Sequence, residues 1–234
     1  MWSCIMSKER MYSSYTDADT KELLNKLSPN SSVCDYQQSM IELGEKLGQS
    51  ILGSVTGRET LLISTAEDAD FLQAGVRKTL ISHHISVKTA VFWNNHYQLG
   101  GGQGSVAPIV HRFIEPELSN IDNIIINKSV ISGSCVVKTN LIALLDKLKQ
   151  AKDIFVLAPV VYIKAQESLS SDFPSEIANK FKFVYFACDS ERDKSGEVIP
   201  GIGGQVYERL GLSSQPVSVA YIPKIVQQLA LSMS

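Results

Sequence analysis

Ile124-Ile125-Ile126-Asn127-Lys128-Ser129-Val130-Ile131-Ser132-Gly133-Ser134-Cys135-Val136-Val137-Lys138-Thr139-Asn140 is the stretch whose reading decides the fold. It opens with an unbroken β-branched run, the mark of a strand buried on both faces of a parallel sheet. Ser132-Gly133-Ser134 follows, small enough to expose backbone N–H groups. Leu141, Leu144, Leu145 and Leu148 then recur at helical spacing. Strand, small-residue turn and helix together place amides and a helix N-terminus around a phosphate. An ordinary βα turn would read the same, so this stretch alone leaves both readings open.

Working outward, the pattern alternates. Thr60–Ser64 reads as a short buried strand, and Thr65-Ala66-Glu67-Asp68-Ala69-Asp70 opens a helix over Phe71–Ile81. Its acidic first turn suits the helix dipole. Ile85–Trp93 is the next strand, Gly100–Gly104 a hairpin tip and Ala107–Ile114 the returning strand. Beyond the quoted stretch, Asp153–Pro159 is a strand, Tyr162–Leu169 a helix and Phe181–Cys188 the last parallel strand. Upstream, Thr16, Asp17 and Asp19 cap a short helix that stops before Pro29. Asn30-Ser31-Ser32 caps a longer one from Cys34 to about Leu52. Ser218–Leu231 reads as an extended piece followed by a helix. Such alternation predicts an α/β fold: about five mainly parallel strands, Ile124–Asn127 central, helices on both faces. In these sheets the ligand crevice lies at the carboxyl ends of the strands.

With 234 residues the chain is long enough for a full core without staples. Its formal charge of -2 supplies no basic field for nucleic acid or an anionic membrane, and neither is expected as a partner. The four cysteines, Cys4, Cys34, Cys135 and Cys188, are scattered and include no Cys-x-x-Cys pair. No zinc site or disulfide framework is indicated, and a cytoplasmic location is expected. Met1–Met11 has no apolar run of spanning length and is expected to fray.

Two segments together resemble the uracil phosphoribosyltransferases. Asp189–Gly203, with its acidic turn and Pro200-Gly201-Ile202-Gly203, is similar to the family's acidic turn, Gly, two apolar residues and Pro-Gly-Leu-Gly-Asp-Ala-Gly-Asp-Arg. Ile124–Cys135 resembles the family's phosphoribosyl-diphosphate (PRPP) loop, Asp-Pro-Met-Leu-Ala-Thr-Gly-Gly-Ser, with Ser132-Gly133-Ser134 on Thr-Gly-Gly. Leu157-Ala158-Pro159 with Ile163-Lys164-Ala165 resembles its Ala-Pro-x-Gly-Ile-Lys-Ala segment, and Ser32–Ile51 its N-terminal helix. The likeness runs in order over roughly residues 30 to 212. It implies a type I phosphoribosyltransferase core at 30–234 with a small hood at about 190–215, behind an N-terminal extension at 1–29. It also implies a homodimer, assembled near Gly100–Gly104 with Phe92, Trp93, Tyr97, Val110 and Phe113 alongside, and a role in pyrimidine salvage.

Carried over position by position, the resemblance puts phosphate on Ser132, Gly133, Ser134 and Cys135, the ribose beside Asn127 and Lys128, and the base against Val198, Ile202, Gly203 and Gly204. The departures fall on chemistry. Asn127 and Lys128 stand where the family has its acid and proline. Ala66-Glu67-Asp68 stands where it has an anion-binding Arg-Ala-Gly, and two uncompensated carboxylates there would repel a diphosphate. Gly204-Gln205-Val206-Tyr207-Glu208 replaces Asp-Ala-Gly-Asp-Arg. No catalytic residue and no protein metal site is therefore assigned. Two readings remain: a pseudoenzyme binding phosphate, PRPP, uracil or UMP, or an active enzyme making UMP with Mg²⁺, which Glu67, Asp68 and Asp70 would then have to hold. His83-His84 is read as solvated or capping, Lys138 as solvated, and Cys135 as a small buried residue near a helix start.

Overall fold

A computed structural model describes residues 10–57, 59–98, 105–193, 195–212 and 221–233. In chain order the elements are β1 (Met11–Tyr12), α1 (Ala18–Lys26), α2 (Val33–Ile51), β2 (Glu59–Thr65), α3 (Ala66–Ala69) and α4 (Leu72–Ser82). Then come β3 (Val87–Asn94), β4 (Tyr97–Gln98), β5 (Ser105–Val106), β6 (Ile109–Ile114), β7 (Ile121–Asn127), β8 (Val130–Ile131), α5 (Cys135–Ile142) and α6 (Leu145–Gln150). The last are β9 (Asp153–Tyr162), α7 (Ala165–Ser171), α8 (Ser175–Ala178), β10 (Phe181–Asp189), β11 (Glu191–Arg192), β12 (Val198–Ile199), α9 (Val206–Arg209) and α10 (Lys224–Ser232).

The main sheet runs β1-β10-β9-β7-β2-β3-β6, with β8 added beside β9. β10, β9, β7, β2 and β3 pair in parallel, while β1 and β6 close the two edges antiparallel. β7 lies at the centre, as its apolar run requires. Alternate residues of each strand serve opposite faces. Leu62, Ile125, Phe155 and Leu157 pack with Leu43, Leu47 and Val76 of α2 and α4. Leu61, Ile63, Ile124, Ile126, Ile154 and Val156 pack with Val137, Leu141, Leu148 and Leu169 of α5, α6 and α7. The protein is thus an α/β fold with a mainly parallel sheet and helices on both faces.

The predicted caps form. Asp17 accepts from Thr20 N–H at 2.7 Å, and Ser32 Oγ from Asp35 N–H at 3.1 Å. Three boundaries differ most from the sequence reading. Tyr162 extends β9 instead of opening a helix, because it pairs with Asp189 and its ring carries the Arg192 guanidinium at 3.7 Å. The helix expected over the leucine repeat starts at Cys135 and breaks at Leu144, whose φ of -122° and ψ of 26° turn its side chain into the core. The fraying expected through Met11 stops earlier. Arg10 grips Asp189 through two hydrogen bonds of 2.9 and 2.8 Å, and Met11 and Tyr12 add to the edge of β10. Residues 1–9 and Gly100–Gly104 lie outside the described residues.

Candidate functional site at the carboxyl ends of the strands

β2 and β7 are parallel neighbours, so the segments leaving their carboxyl ends meet. From β2 come Thr65, Glu67 and Asp68; from β7 come Asn127, Lys128 and Ser129. Lys128 Nζ lies 2.7 Å from Asp68 Oδ2, 3.0 Å from Glu67 Oε1 and 3.3 Å from Ser129 Oγ. An ammonium has three N–H donors, and all three have acceptors here. Asp68 Oδ2 also accepts from Thr65 Oγ1 at 3.1 Å and from Ser129 N–H at 3.2 Å. Glu67 Oε2 accepts from Tyr207 OH at 2.9 Å. The side chains of Lys128, Glu67 and Asp68 are only 11%, 6% and 2% exposed.

Burial at this depth opposes every charge. It would push the Lys128 ammonium pKa down, but Asp68 and Glu67 outweigh it and raise the value. Burial would likewise push Glu67 up, yet the Lys128 charge and hydrogen bond hold its carboxyl below the ordinary 4.5. Tyr207 is raised, first by burial and then by the Glu67 charge, which keeps its hydroxyl a donor. His96, at the neighbouring end of β3, is lowered by burial and by the Lys128 charge. Lys128 thus bonds to both carboxylates and offsets one of their two charges, which corrects in part the sequence reading of them as uncompensated. Among the described residues, no group of three or more His, Cys, Asp or Glu side chains is placed to hold a metal. Asp70, the third acid considered for Mg²⁺, caps a helix: it accepts from Lys224 N–H at 2.8 Å, from Ile225 N–H at 3.0 Å and from Tyr221 OH.

Asn127 donates through Nδ2 to Ile63 O at 2.9 Å. Its Oδ1 is buried without a protein partner. Asn127 and Lys128 share a narrow crevice with Thr65, Ile126, Val136, Val137 and Asn140, too tight as it stands to admit a water molecule. Ser132, Gly133 and Ser134 form the half-buried turn before α5, and Cys135 is the first residue of that helix. A Cβ built on Gly133 meets nothing within 4 Å. Ser134 Oγ accepts from Ser168 Oγ at 3.2 Å, and Cys135 Sγ donates to Ser105 O. Lys138 does not reach for this turn, because it is bonded to Asp172 at 2.7 Å. Burial works against the Asp172 charge, but Lys138 and Ser134 hold its pKa down, so a carboxylate stands beside the predicted phosphate turn.

The four residues predicted to frame a base lie on a segment in which several backbone groups are used within the protein. Gly201 N–H donates to Asp189 Oδ2 at 2.9 Å, and Arg10 donates to Gly201 O, so the two peptides that flank Gly201 are both held. Ile202 O accepts from Tyr36 OH at 3.0 Å, and Gly203 N–H donates to Pro200 O. Val198 and Ile202 are buried, Gly203 half-buried and Gly204 exposed. Gly203 must be glycine twice over: its φ is +79°, and a Cβ would sit 2.6 Å from Leu27 O. Arg209 ties the same segment to Ser28, Pro29 and Ser31 carbonyls. Tyr207, on α9, links this segment to the carboxylates through Glu67.

The structure thus brings Asn127 and Lys128 together with Glu67 and Asp68, and sets Ser132–Ser134 against Ser168 and Asp172. Sequence reasoning missed Tyr207, His96, Arg10 and Asp189. The one signal for the central cluster was a lysine directly after a buried strand, with two adjacent acids after another. His83 caps α4, with Nδ1 2.9 Å from Thr79 O, and His84 takes a φ of 60°, so both fill the capping role expected of them.

No protein-family model matches the chain, and no curated protein does. Among solved structures it is similar to the AQ2163 protein from Aquifex aeolicus, with a TM-score of 0.65, 15% identity, and coverage of 87% of this chain and 99% of that one. It is more distantly similar to a hypothetical protein from Neisseria gonorrhoeae with bound ppGpp, at TM-score 0.41, 15% identity, 63% of this chain and 80% of that. A hypoxanthine-guanine phosphoribosyltransferase from L. donovani gives TM-score 0.39 and 10% identity over 76% of this chain and 80% of that. The first likeness shows a fold shared along almost the whole chain; the other two are too distant to carry an argument. Among the described residues, no helix is long and apolar enough to cross a membrane.

Proposed function

We propose that this chain is a uracil phosphoribosyltransferase-like protein that binds a phosphate-bearing, nucleotide-like ligand at the carboxyl ends of its strands, with catalysis weak or lost. One observation carries the reading. Lys128, the cation nearest the predicted ribose position, spends all three N–H groups on Glu67, Asp68 and Ser129. It has none left for a diphosphate. The loop around Gly201–Gly203, where a base would be read by backbone groups, is likewise occupied by Asp189, Arg10, Tyr36 and Pro200. What favours a retained anion site is the turn at Ser132–Ser134 ahead of α5, with open space at Gly133.

Calorimetric titration with phosphate, UMP, PRPP and uracil tests this. Phosphate and UMP are expected to bind, PRPP no tighter than phosphate, and uracil alone not at all. Gly133→Trp is expected to remove phosphate binding by filling the space beside the turn, where a Cβ meets nothing within 4 Å, and circular dichroism checks that the fold is kept. Heat from none of the four, with no thermal protection by phosphate, would sink the reading.

The proposal includes a homodimer. Tyr97 on β4 and Val110 on β6 are 50% and 41% exposed, and Val106 on β5 is 41% exposed, which makes an apolar surface beside an antiparallel edge strand. Phe92 and Trp93 do not contribute to it: both are buried, and Trp93 Nε1 donates to Tyr221 O at 2.7 Å. Light scattering is expected to give twice the chain mass. A mass near 25.7 kDa at micromolar concentration would count against the dimer.

A further inference from the structure

We infer that Lys128 is the chain's built-in counterion, seated where a divalent cation would otherwise be drawn, so that this site takes phosphate monoesters without metal and refuses a metal–diphosphate. The inference deepens the ligand-binding reading above and rests on it for the ligand class. Three oxygens from two segments, Glu67 Oε1, Asp68 Oδ2 and Ser129 Oγ, surround one position from which water is largely excluded. Two carboxylates and a hydroxyl are hard oxygen donors of the kind that hold Mg²⁺ or Mn²⁺. In this chain the position is filled by an ammonium whose charge is fixed covalently.

Two consequences follow. A divalent ion cannot enter while Lys128 stays, because like charges would lie within a few ångströms in a medium of low polarity. The cluster of Glu67, Asp68 and Lys128 carries one net negative charge, since Lys128 offsets one of the two carboxylates. A diphosphate arriving without metal therefore meets repulsion and finds no free donor on Lys128. A monoester phosphate at Ser132–Ser134 needs neither the metal nor Lys128. Tyr207, holding the outer oxygen of Glu67, keeps that carboxylate turned toward Lys128.

The test uses Mn²⁺ and its electron paramagnetic resonance signal, with ribose 5-phosphate and inorganic diphosphate as ligand probes. The whole chain is expected to leave the Mn²⁺ signal of free ion unchanged, and to bind ribose 5-phosphate equally in EDTA and in Mg²⁺. Lys128→Met is expected to bind Mn²⁺, and Lys128→Met with Glu67→Gln to lose it again. Uncovering two buried carboxylates can prevent folding, so Lys128→Met is also followed by circular dichroism. Recovery of its spectrum on adding millimolar Mn²⁺ is the same positive result, and no recovery is a negative one. The inference is overturned if the unaltered chain binds Mn²⁺ and Glu67→Gln removes it. It is equally overturned if folded Lys128→Met binds none, or if diphosphate with Mg²⁺ binds tighter than ribose 5-phosphate. If ribose 5-phosphate does not bind at all, the ligand-binding reading and the monoester clause fail together, while the Mn²⁺ results still decide the counterion.

Discussion

Lys128→Met, free of metal at pH 7, is expected to lower the stability of the chain by about 3–5 kcal/mol, the usual cost of removing one partner from a buried ion pair. The side chains of the cluster are 11%, 6% and 2% exposed, so the stranded carboxylates cannot recover their hydration without local opening. Neutralising all three together, with Glu67→Gln and Asp68→Asn added to Lys128→Met, is expected to return most of the loss, because the stranded charge is then gone. The pH dependence has a definite sign. In the unaltered chain Glu67 is held below its ordinary 4.5, so its contribution is present above that value and fades as pH falls through the lowered one. Without Lys128, burial is the largest influence left on Glu67, opposed by hydrogen bonds from its backbone and from Thr65, and Glu67 is expected to be raised instead. The variant then loses stability as pH rises above 4.5, and the gap between the two proteins widens from acid toward neutral pH. Urea unfolding followed by circular dichroism between pH 4 and pH 8 measures it. A difference under about 1 kcal/mol at pH 7, the scale of an exposed pair, would place the cluster in water rather than in the core.

What was legible in the sequence, and what was not, divides by the distance along the chain over which the residues act. Ile124-Ile125-Ile126 has no polar interruption, and a strand with that pattern has to be covered on both faces, so its central place could be read directly. Asp17 and Ser32 cap helices that begin one residue later, and such local signals suffice. The break at Leu144 was hidden, since a leucine that leaves the helix to fill the core keeps the same spacing as one that stays in it.

The site was legible only in outline. The quoted strand and turn, and the acids after β2, could be located, but not their partnership. Lys128 meets Asp68 across 60 residues, Tyr207 meets Glu67 across 140 and Arg10 meets Asp189 across 179. Each pair depends on which strands are neighbours and on their register, neither of which periodicity supplies. Lys128 read in isolation is a lysine directly after a buried strand, with no partner in view. Only β7 lying beside β2 turns it into the counterion of Glu67 and Asp68. The N-terminal segment was underrated for the same reason: Arg10 has no local partner, and its role appears once Asp189 at the end of β10 is brought beside it.

Given uracil, PRPP and Mg²⁺, the chain is expected to form UMP at a rate far below about one turnover per second, the lower end of ordinary enzyme rates. In that reaction a diphosphate departs, and an enzyme must neutralise the charge that builds on it. Removing one such preorganised contact typically costs about a hundred- to a thousandfold in rate. Under the function proposed above, Ala66-Glu67-Asp68 stands where the uracil phosphoribosyltransferases have their cationic loop, and Lys128 is fully engaged by the carboxylates beside it. The Asp-Ala-Gly-Asp-Arg run of that family is also gone, and Tyr207, within the replacement, holds Glu67 instead of a ligand. These losses act on one transition state, so their effects do not simply multiply, but each alone is large. Radiolabelled uracil, with UMP separated by chromatography, provides the assay, and Gly133→Trp is the control. Turnover of about one per second or faster, abolished in Gly133→Trp, would make this protein an active uracil phosphoribosyltransferase. It would also imply that the Lys128 ion pairs open during the catalytic cycle, or that a cation other than Lys128 meets the departing diphosphate.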